Sequence, residues 1–439
     1  MLNKIIPQYH GLLRTEILQE IPLTAKRIMD YGCGTGELGK ALKARQKCKV
    51  VGIEFNEEAA KIACKNLDIC HNNDLNIPTS RTYGEKYDCQ IFADILEHLQ
   101  DPWRRLTEET DKLKNNGTVI ISLPNIAHHS IINDLARGVF RYEIAGIRDI
   151  THMRFFTLLS ASEMIAKAGL KIKKVIGINE DITPKQYVFV CKKVKKKFPQ
   201  ALCTLIMPVC NNMHLTRQCI DSIFTTTLIP FNLIVVDNGS TDGTRELLRE
   251  DERIIHVEGT HNLGFARATN IGMQFIETPY FGFVNNDLIF SKGWLLTLLE
   301  TFNHDDKLGA VGPKTNNAAG AQKYSQGNYT TREQFLMFAE NFKNSQKDPY
   351  FFVKMLVFFC TIFKTEIIKK VGMLDERFKI GNFEDNAYSQ LIINAGYKMA
   401  VNNKCYIHHY GSQTFKALNI NYEQTMNQGY AIFRQFYKA

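Results

Sequence analysis

The sequence predicts two α/β units in tandem, each built around an open, largely parallel sheet. Three observations carry this. The chain has 439 residues, too many for one ordinary core. Strand-like apolar runs alternate with helix-spaced stretches, and that series runs through once and then restarts. Between the two series lies a basic bridge, KKVKKKFPQ, at 192–200. A block of like charges does not enter a core, and its proline forces the preceding residue out of the helical region. The expected division is a first domain at 1–191, a linker at 192–200 and a second domain at 201–439.

Composition narrows the class. The chain is 44% hydrophobic and 23% charged, the balance of a globular protein. Of its formal charge of +9, five positive charges sit in the bridge. The two units are close to neutral, which argues against nucleic acid as a partner. The 11 cysteines form no CxxC pair and no zinc spacing, so free thiols in a reducing compartment are expected. The opening segment lacks the apolar centre of a signal peptide. The best apolar run, MLVFFCTIF at 355–363, is about half of what a membrane span needs. A cytoplasmic protein is expected, with peripheral contact at the inner face of the cell membrane left open.

In the first unit, RIMDYGCGTGELGKAL supplies a short strand ending in Asp30. A turn of Gly32, Gly34 and Gly36 follows, and then a helix start. Such a turn lets the backbone approach a ligand beside the free N–H groups of a helix. KVVGIEF ends a second strand at Glu54, where a doubly wound fold places an acid for ribose hydroxyls. Asp74 follows a third strand and Asp94 a fourth, YDCQIFADILEHL. GLKIKKVIGI and KQYVFVCKK read as a closing hairpin. Acids and polar loops on one sheet edge are the layout of a nucleoside pocket.

These residues resemble the class I S-adenosylmethionine-dependent methyltransferases, whose fold is a Rossmann-like sheet. SLPNIAHHS and DITHMRFFT resemble a subgroup found beside glycosyltransferases. The resemblance implies that Asp30 and the Gly32–Gly36 backbone face the methionine part of S-adenosylmethionine. It implies that Glu54 holds the ribose and Asp74 faces adenine, with Asp94 in the same pocket. If the acceptor is a hydroxyl, a base must take its proton. The candidates are His98, His128, His129 and His152, with His128 and His152 ahead because both fall in loops after strands. Glu97 reads as a helix first-turn acid.

The second unit opens with ALCTLIMPVCNN, a buried-type strand that stops at Pro208. FNLIVVDNGSTDGT ends a strand at Asp237 in a polar turn. HNLGFARATNIG is a loop with Asn262 and Gly264, then a helix of small residues. TPYFGFVNNDLIF leaves the sheet at Asn286 and Asp287, where an acid can hold a cation beside a diphosphate. GNFEDNAY brings Glu384 and Asp385 together, and NKCYIHHYGS ends a strand at His408 and His409.

In this order the pieces resemble family 2 glycosyltransferases of the GT-A type, over 205–415. The resemblance implies Pro208 and Asp237 at the nucleotide base, with Asn262, Gly264 and Asn286 in the nucleotide-sugar pocket. It implies Mg²⁺ or Mn²⁺ on Asp287 and His409, with His408 as the substitute if the register shifts by one. Asp385 of the Glu384–Asp385 pair would be the general base for an inverting displacement. Two departures stand out. The metal string is Asn-Asn-Asp, one carboxylate short of Asp-x-Asp. Phe359 stands where relatives carry a small residue, so a reshaped sugar pocket and simple core filling are both open. Trp294 is read as acceptor-side or packing, 317–350 as a mobile acceptor-side loop, and NYEQTMNQGYAIFRQFYKA as an amphipathic helix docked on the second unit.

The expected function is bifunctional. The enzyme would transfer a sugar from a nucleotide-diphospho-sugar with inversion and O-methylate a hydroxyl of the same glycan, a surface polysaccharide or its lipid-linked precursor. Two other readings stand beside it. In one, the first domain only binds or scaffolds; in the other, the chain tailors a small metabolite.

Overall fold

The computed structural model describes residues 11, 13–77, 86–178, 183–193, 201–379, 381–411, 413 and 421–437. The basic bridge lies outside the described residues from 194 onward. The chain divides into two compact units, 1–196 and 197–439.

The first unit is a seven-stranded sheet in the order β3-β2-β1-β4-β5-β7-β6. Its strands are β1 (Arg27–Tyr31), β2 (Lys49–Glu54), β3 (Ile69–Asn72), β4 (Tyr87–Ala93), β5 (Leu113–Pro124), β6 (Leu170–Ile178) and β7 (Gln186–Lys193). β1 to β5 run parallel, whereas β7 is antiparallel to both β5 and β6. The closing hairpin is therefore present, with β7 inserted between β5 and β6. Alternate side chains face two cores. Met29, Ile53, Phe92, Ile121 and Phe189 lie on one face, and Ile28, Val50, Ile91, Ile120 and Val188 on the other. A sheet covered on both faces requires near-continuous apolar strands, which these are.

The helices are set by their caps. Asn56 accepts from Ala59 N at 3.0 Å to start Glu57–Asn66. Asp101 with Pro102 starts Pro102–Thr110, and Thr157 forms a capping box with Ser160. Each cap satisfies an N–H that the helix itself cannot.

The second unit is a nine-stranded sheet. Its strands are β8 (Cys203–Val209), β9 (Phe231–Asp237), β10 (Ile255–Glu258), β11 (Tyr280–Val284), β12 (Leu288–Ile289), β13 (Leu308–Thr315), β14 (Tyr350–Val353), β15 (Cys360–Lys364) and β16 (Lys398–His409). The order is β10-β9-β8-β11-β15-β13-β16-β12, with β14 also on β16. β8 to β11 are parallel, β15 is antiparallel to its neighbours, and β12 pairs antiparallel with the end of β16. No described helix is long and apolar enough to cross a membrane.

One expectation changes here, and the alternatives left open at Trp294 and Phe359 narrow. Trp294 is 1% exposed and donates through Nε1 to Thr227 Oγ1 at 2.9 Å, so it is core packing. Phe359 is buried as well. The stretch 317–350 is not an extended loop: it contains the helix Arg332–Ser345, opened by a Thr331–Gln334 capping box. Phe335, Ala339 and Phe342 fall on one stripe of that helix and bury against Tyr406 and Ile289. The final helix, Tyr422–Phe436, sets Tyr430 and Phe433 against Phe383.

If the helix Arg332–Ser345 is packed in this way, its amides from Phe335 onward exchange slowly with deuterium. Phe335→Ala should cost about 3–5 kcal/mol of second-unit stability and speed that exchange. Fast exchange of this segment in the unsubstituted chain would mean a mobile loop after all.

Candidate functional site

In the first unit the candidate residues gather at the carboxyl ends of β1, β2 and β4. Gly32, Gly34 and Gly36 have φ of 73°, 54° and 80°, a conformation that L side chains rarely adopt. The turn is tied down from outside. Gly34 N donates to Glu54 Oε2 at 2.9 Å, and Asn56 N donates to Glu54 Oε1 at 2.8 Å. Asp30 is buried beside it; burial first and the Glu54 charge second push its carboxyl up to about 7. Asp74 is half-buried and accepts from Asn76 N at 2.8 Å. Asp94, at φ 51°, accepts from Ser122 Oγ at 2.9 Å and is also bonded to Arg14 and Gln186. Arg14 and Gln186 were not anticipated. They come from distant parts of the sequence, and no local pattern marks them.

The histidines separate. His128 lies in the loop between β5 and the helix His129–Ala136, which it caps by accepting from Ser130 N at 3.3 Å, and it is buried. His152 lies with His98 and Glu97, their ligand-type atoms all within 4.8 Å of one another. Glu97 is not a solvated first-turn acid. It sits in the short 3₁₀ turn Leu96–His98 and is 1% exposed.

In the second unit two loops are laced together before the nucleotide-side residues are reached. Asn211 N donates to Ser240 Oγ at 2.9 Å, and Thr241 N donates to Asn211 Oδ1 at 2.8 Å. Asp237 is 0% exposed, with Ser240 N on one oxygen at 2.8 Å and Arg245 Nε on the other at 3.0 Å. It therefore braces the loop in this structure, and Arg245 is the charged group that the sequence reading missed. Asn262 Oδ1 accepts from Asn238 Nδ2 and from Gly264 N, both at 2.8 Å, with Gly264 at φ 87°. Pro208 is half-buried near the end of β8.

At the end of β12 and β16 the register decides the geometry. Leu288 pairs with His409 and Ile289 with His408. That places His409 Nε2 3.3 Å from Asp287 Oδ1, and neither atom has a hydrogen-bond partner. His409 Nδ1 is held by the carbonyl of Asn317 at 2.7 Å, while Gly411 N donates to Asp287 Oδ2 at 3.0 Å. His408 turns the other way, to the Tyr329 hydroxyl at 2.8 Å. Two orphaned polar atoms facing each other, each fixed from behind, make a pair that fits a cation. Phe359 stacks on the His409 ring at 5.1 Å and 15°. Asn286 is buried and donates to Thr216 Oγ1 at 2.9 Å.

Glu384 and Asp385 open the helix Glu384–Asn394 after three positive-φ residues, Gly381, Asn382 and Phe383. Burial pushes Asp385 up to about 6; Glu384 is raised further by burial together with the Asp385 charge. The two acids titrate together, burial and their mutual charge making the pair reluctant to lose its second proton.

Comparison with known proteins divides at the same place in the chain. A methyltransferase-domain family matches residues 8–175, and Glycosyl transferase family 2 matches residues 204–372. Over 115 residues, 25% of this chain, the sequence is 34% identical to the teichoic acid poly(glycerol phosphate) polymerase of Staphylococcus epidermidis; the chain spans 16% of that protein. Over 192 residues, 42% of this chain, it is 27% identical to a ubiquinone biosynthesis O-methyltransferase of Hydrogenovibrio crunogenus, spanning 77% of it. Among solved structures, the mannosyltransferase PcManGT of Pyrobaculum calidifontis, in complex with GDP-Man and Mn²⁺, is similar over 55% of this chain and 67% of its own. The identity is 17% and the TM-score 0.39.

Glu54 holds two main-chain donors, so Glu54→Ala should destabilise the first unit by about 1–3 kcal/mol for each N–H left unsatisfied. Chemical denaturation should show the first unit's transition shifted and the second unit's unchanged. An unshifted first-unit transition would show that the turn does not depend on this carboxylate.

Proposed function

The chain joins a methyltransferase domain to a family 2 glycosyltransferase domain, and we propose that it is a bifunctional enzyme of glycan synthesis. The second unit transfers a sugar from a nucleotide-diphospho-sugar with inversion; the first O-methylates a hydroxyl of the same glycan. The observation that carries this reading is the Asp287–His409 pair, two buried atoms at 3.3 Å that hydrogen bonding leaves unsatisfied.

Asp287 and His409 would hold Mg²⁺ or Mn²⁺. Bound there, the ion supplies positive charge to a nucleoside-diphosphate leaving group. Pro208, Asn262 and Gly264 line the nucleotide side, and Asp237 with Arg245 keeps that loop in place. Asp385 takes the proton of the acceptor hydroxyl, and that oxygen attacks the anomeric carbon from the face opposite the diphosphate.

In the first unit the Gly32–Gly36 turn, Asp30 and Glu54 would hold S-adenosylmethionine, with Asp74 and Asp94 at the same edge. The cofactor supplies an electrophilic methyl group. The relatives of this unit named O-methyltransferases support a hydroxyl acceptor. We place that hydroxyl at the Glu97–His98–His152 cluster, with His128, whose Nδ1 caps a helix, as the second candidate. The relative named a teichoic acid polymerase supports a surface glycopolymer or its lipid-linked precursor as the shared acceptor. That acceptor would bring the enzyme to the inner face of the membrane.

A panel of nucleotide sugars with Mn²⁺, scored for sugar release and transfer, tests the second unit. Asp385→Asn should remove transfer while S-adenosylmethionine binding by calorimetry is unchanged; loss of both would end the two-site reading. The acid limb of the transfer profile should lie near pH 6 instead of near pH 4. Burial holds the proton on Asp385 longer, so the base form is lost as pH falls through about 6. Methyl incorporation from labelled cofactor, tested over a panel of acceptors, separates a working first unit from a binding module.

A further inference from the structure

Three side chains in the first unit meet where ordinary hydrogen bonding gives them no reason to. Glu97 is 1% exposed, and neither of its carboxylate oxygens has a hydrogen-bond partner. His98 follows it in the 3₁₀ turn after β4, and His152 arrives from the loop that precedes the helix Leu158–Lys167. One ligand-type atom from each lies within 4.8 Å of the other two.

The meeting is built, not incidental. The Glu97 carbonyl accepts from Met153 N at 2.9 Å and from Arg154 N at 3.0 Å, which staples the turn to the loop carrying His152. Both imidazoles are anchored through Nδ1. His152 Nδ1 lies 3.2 Å from the Ile147 carbonyl, and His98 Nδ1 lies 3.2 Å from the carbonyl and from the hydroxyl of Thr151. The Thr151 hydroxyl in turn donates to Asp149 Oδ1 at 2.6 Å. It is thus free to accept from a protonated Nδ1, which leaves the His98 Nε2 lone pair bare. A ring fixed by a carbonyl or hydroxyl on one nitrogen and bare on the other is how proteins orient histidine toward a metal.

We propose that Glu97, His98 and His152 form a divalent-cation site with one carboxylate and two imidazole ligands, leaving coordination positions open for an acceptor hydroxyl. Two nitrogens and one oxygen select a borderline transition ion such as Zn²⁺, Mn²⁺ or Fe²⁺ over Mg²⁺, which prefers oxygen alone. At metal–ligand bonds of about 2.0–2.2 Å the three donors would close to about 3–3.5 Å from one another, a small contraction of the observed cluster.

The site lies after β4, on the sheet edge where a doubly wound fold binds its ligands. Its role deepens the O-methyl transfer proposed above and rests on that reading; the existence of the site does not. The acceptor O–H, held at the ion, gives its proton to water. Its oxygen then bonds to the methyl carbon as the carbon–sulfur bond breaks, and sulfur keeps the pair as a neutral thioether. A metal-held hydroxyl makes a dedicated protein base unnecessary, which accounts for the absence of a clear one among the histidines.

The test uses the full chain carrying Asp287→Asn, so that the second unit does not compete, and Co²⁺ as the probe. Titration should give one saturable equivalent with visible ligand-field bands. Adding Glu97→Gln, which keeps shape, or His152→Ala should weaken binding by about tenfold or more and change those bands. Circular dichroism and S-adenosylmethionine binding should be unchanged, which separates ligand loss from misfolding. No saturable binding in the Asp287→Asn chain, or binding indifferent to Glu97→Gln, overturns the site. The titration needs no methyl donor or acceptor, so a silent methylation assay would count against the O-methyl transfer reading alone.

Discussion

Both units depend on carboxylates held at strand ends by main-chain N–H groups. Glu54 is held by Gly34 N and Asn56 N, Asp237 by Ser240 N, and Asp287 by Gly411 N. An acid leaving a buried strand would otherwise turn toward water; charge-assisted bonds from the backbone keep it in place. The donor must come from a chain that doubles back within hydrogen-bond reach; Asn56 does so at φ −73°, whereas the glycine donors pass through positive φ. Gly34 at 54° and Gly411 at 75° supply this. At Gly411 a Cβ would lie 1.9 Å from Asn317 Nδ2, so the close approach excludes any larger residue. The glycines follow from the acids, and the acids from where the strands stop.

That logic explains what was legible in the sequence. Strand-ending acids stand out because an apolar run breaks abruptly at a carboxylate, as at Asp30, Glu54 and Asp237. The two-unit α/β architecture was legible for the same reason. What escaped was set by long-range pairing. Glu97 looks like a first-turn acid until Met153 and Arg154, more than fifty residues on, fold over it. The choice between His408 and His409 rests on one register between β12 and β16, and a shift by one would exchange their faces. The helix Arg332–Ser345 was taken for a loop because its apolar stripe, Phe335, Ala339 and Phe342, is diluted by polar neighbours.

In the Asn-Asn-Asp string the carboxylate missing from Asp-x-Asp is at Asn285, and Asn286 holds the middle position. Asn286 Nδ2 donates to Thr216 Oγ1 at 2.9 Å and reaches toward the Asn211 carbonyl at 3.5 Å, which fixes the middle residue against the helix Met213–Thr226. Phe359 belongs to the same economy of space. Its buried ring lies nearly flat on His409 and so limits how that imidazole can swing.

The acid pair at Glu384 and Asp385 poses the opposite problem, because the turn before it is strained. Asn382 and Phe383 sit at φ of 75° and 72° without being glycine, at about 1–2 kcal/mol each. Something must hold them, and the terminal helix does. Asn382 Nδ2 donates to Thr425 Oγ1 at 2.9 Å, while the Phe383 ring packs against Tyr430 and Phe433. Gly429 lets the helix come this close, since a Cβ there would lie 2.5 Å from the Asn382 carbonyl oxygen. The aromatic stripe of the tail is therefore a clamp on the turn that aims Asp385. The terminal helix thus fixes the position of Asp385, the proposed base, through packing on the turn before it.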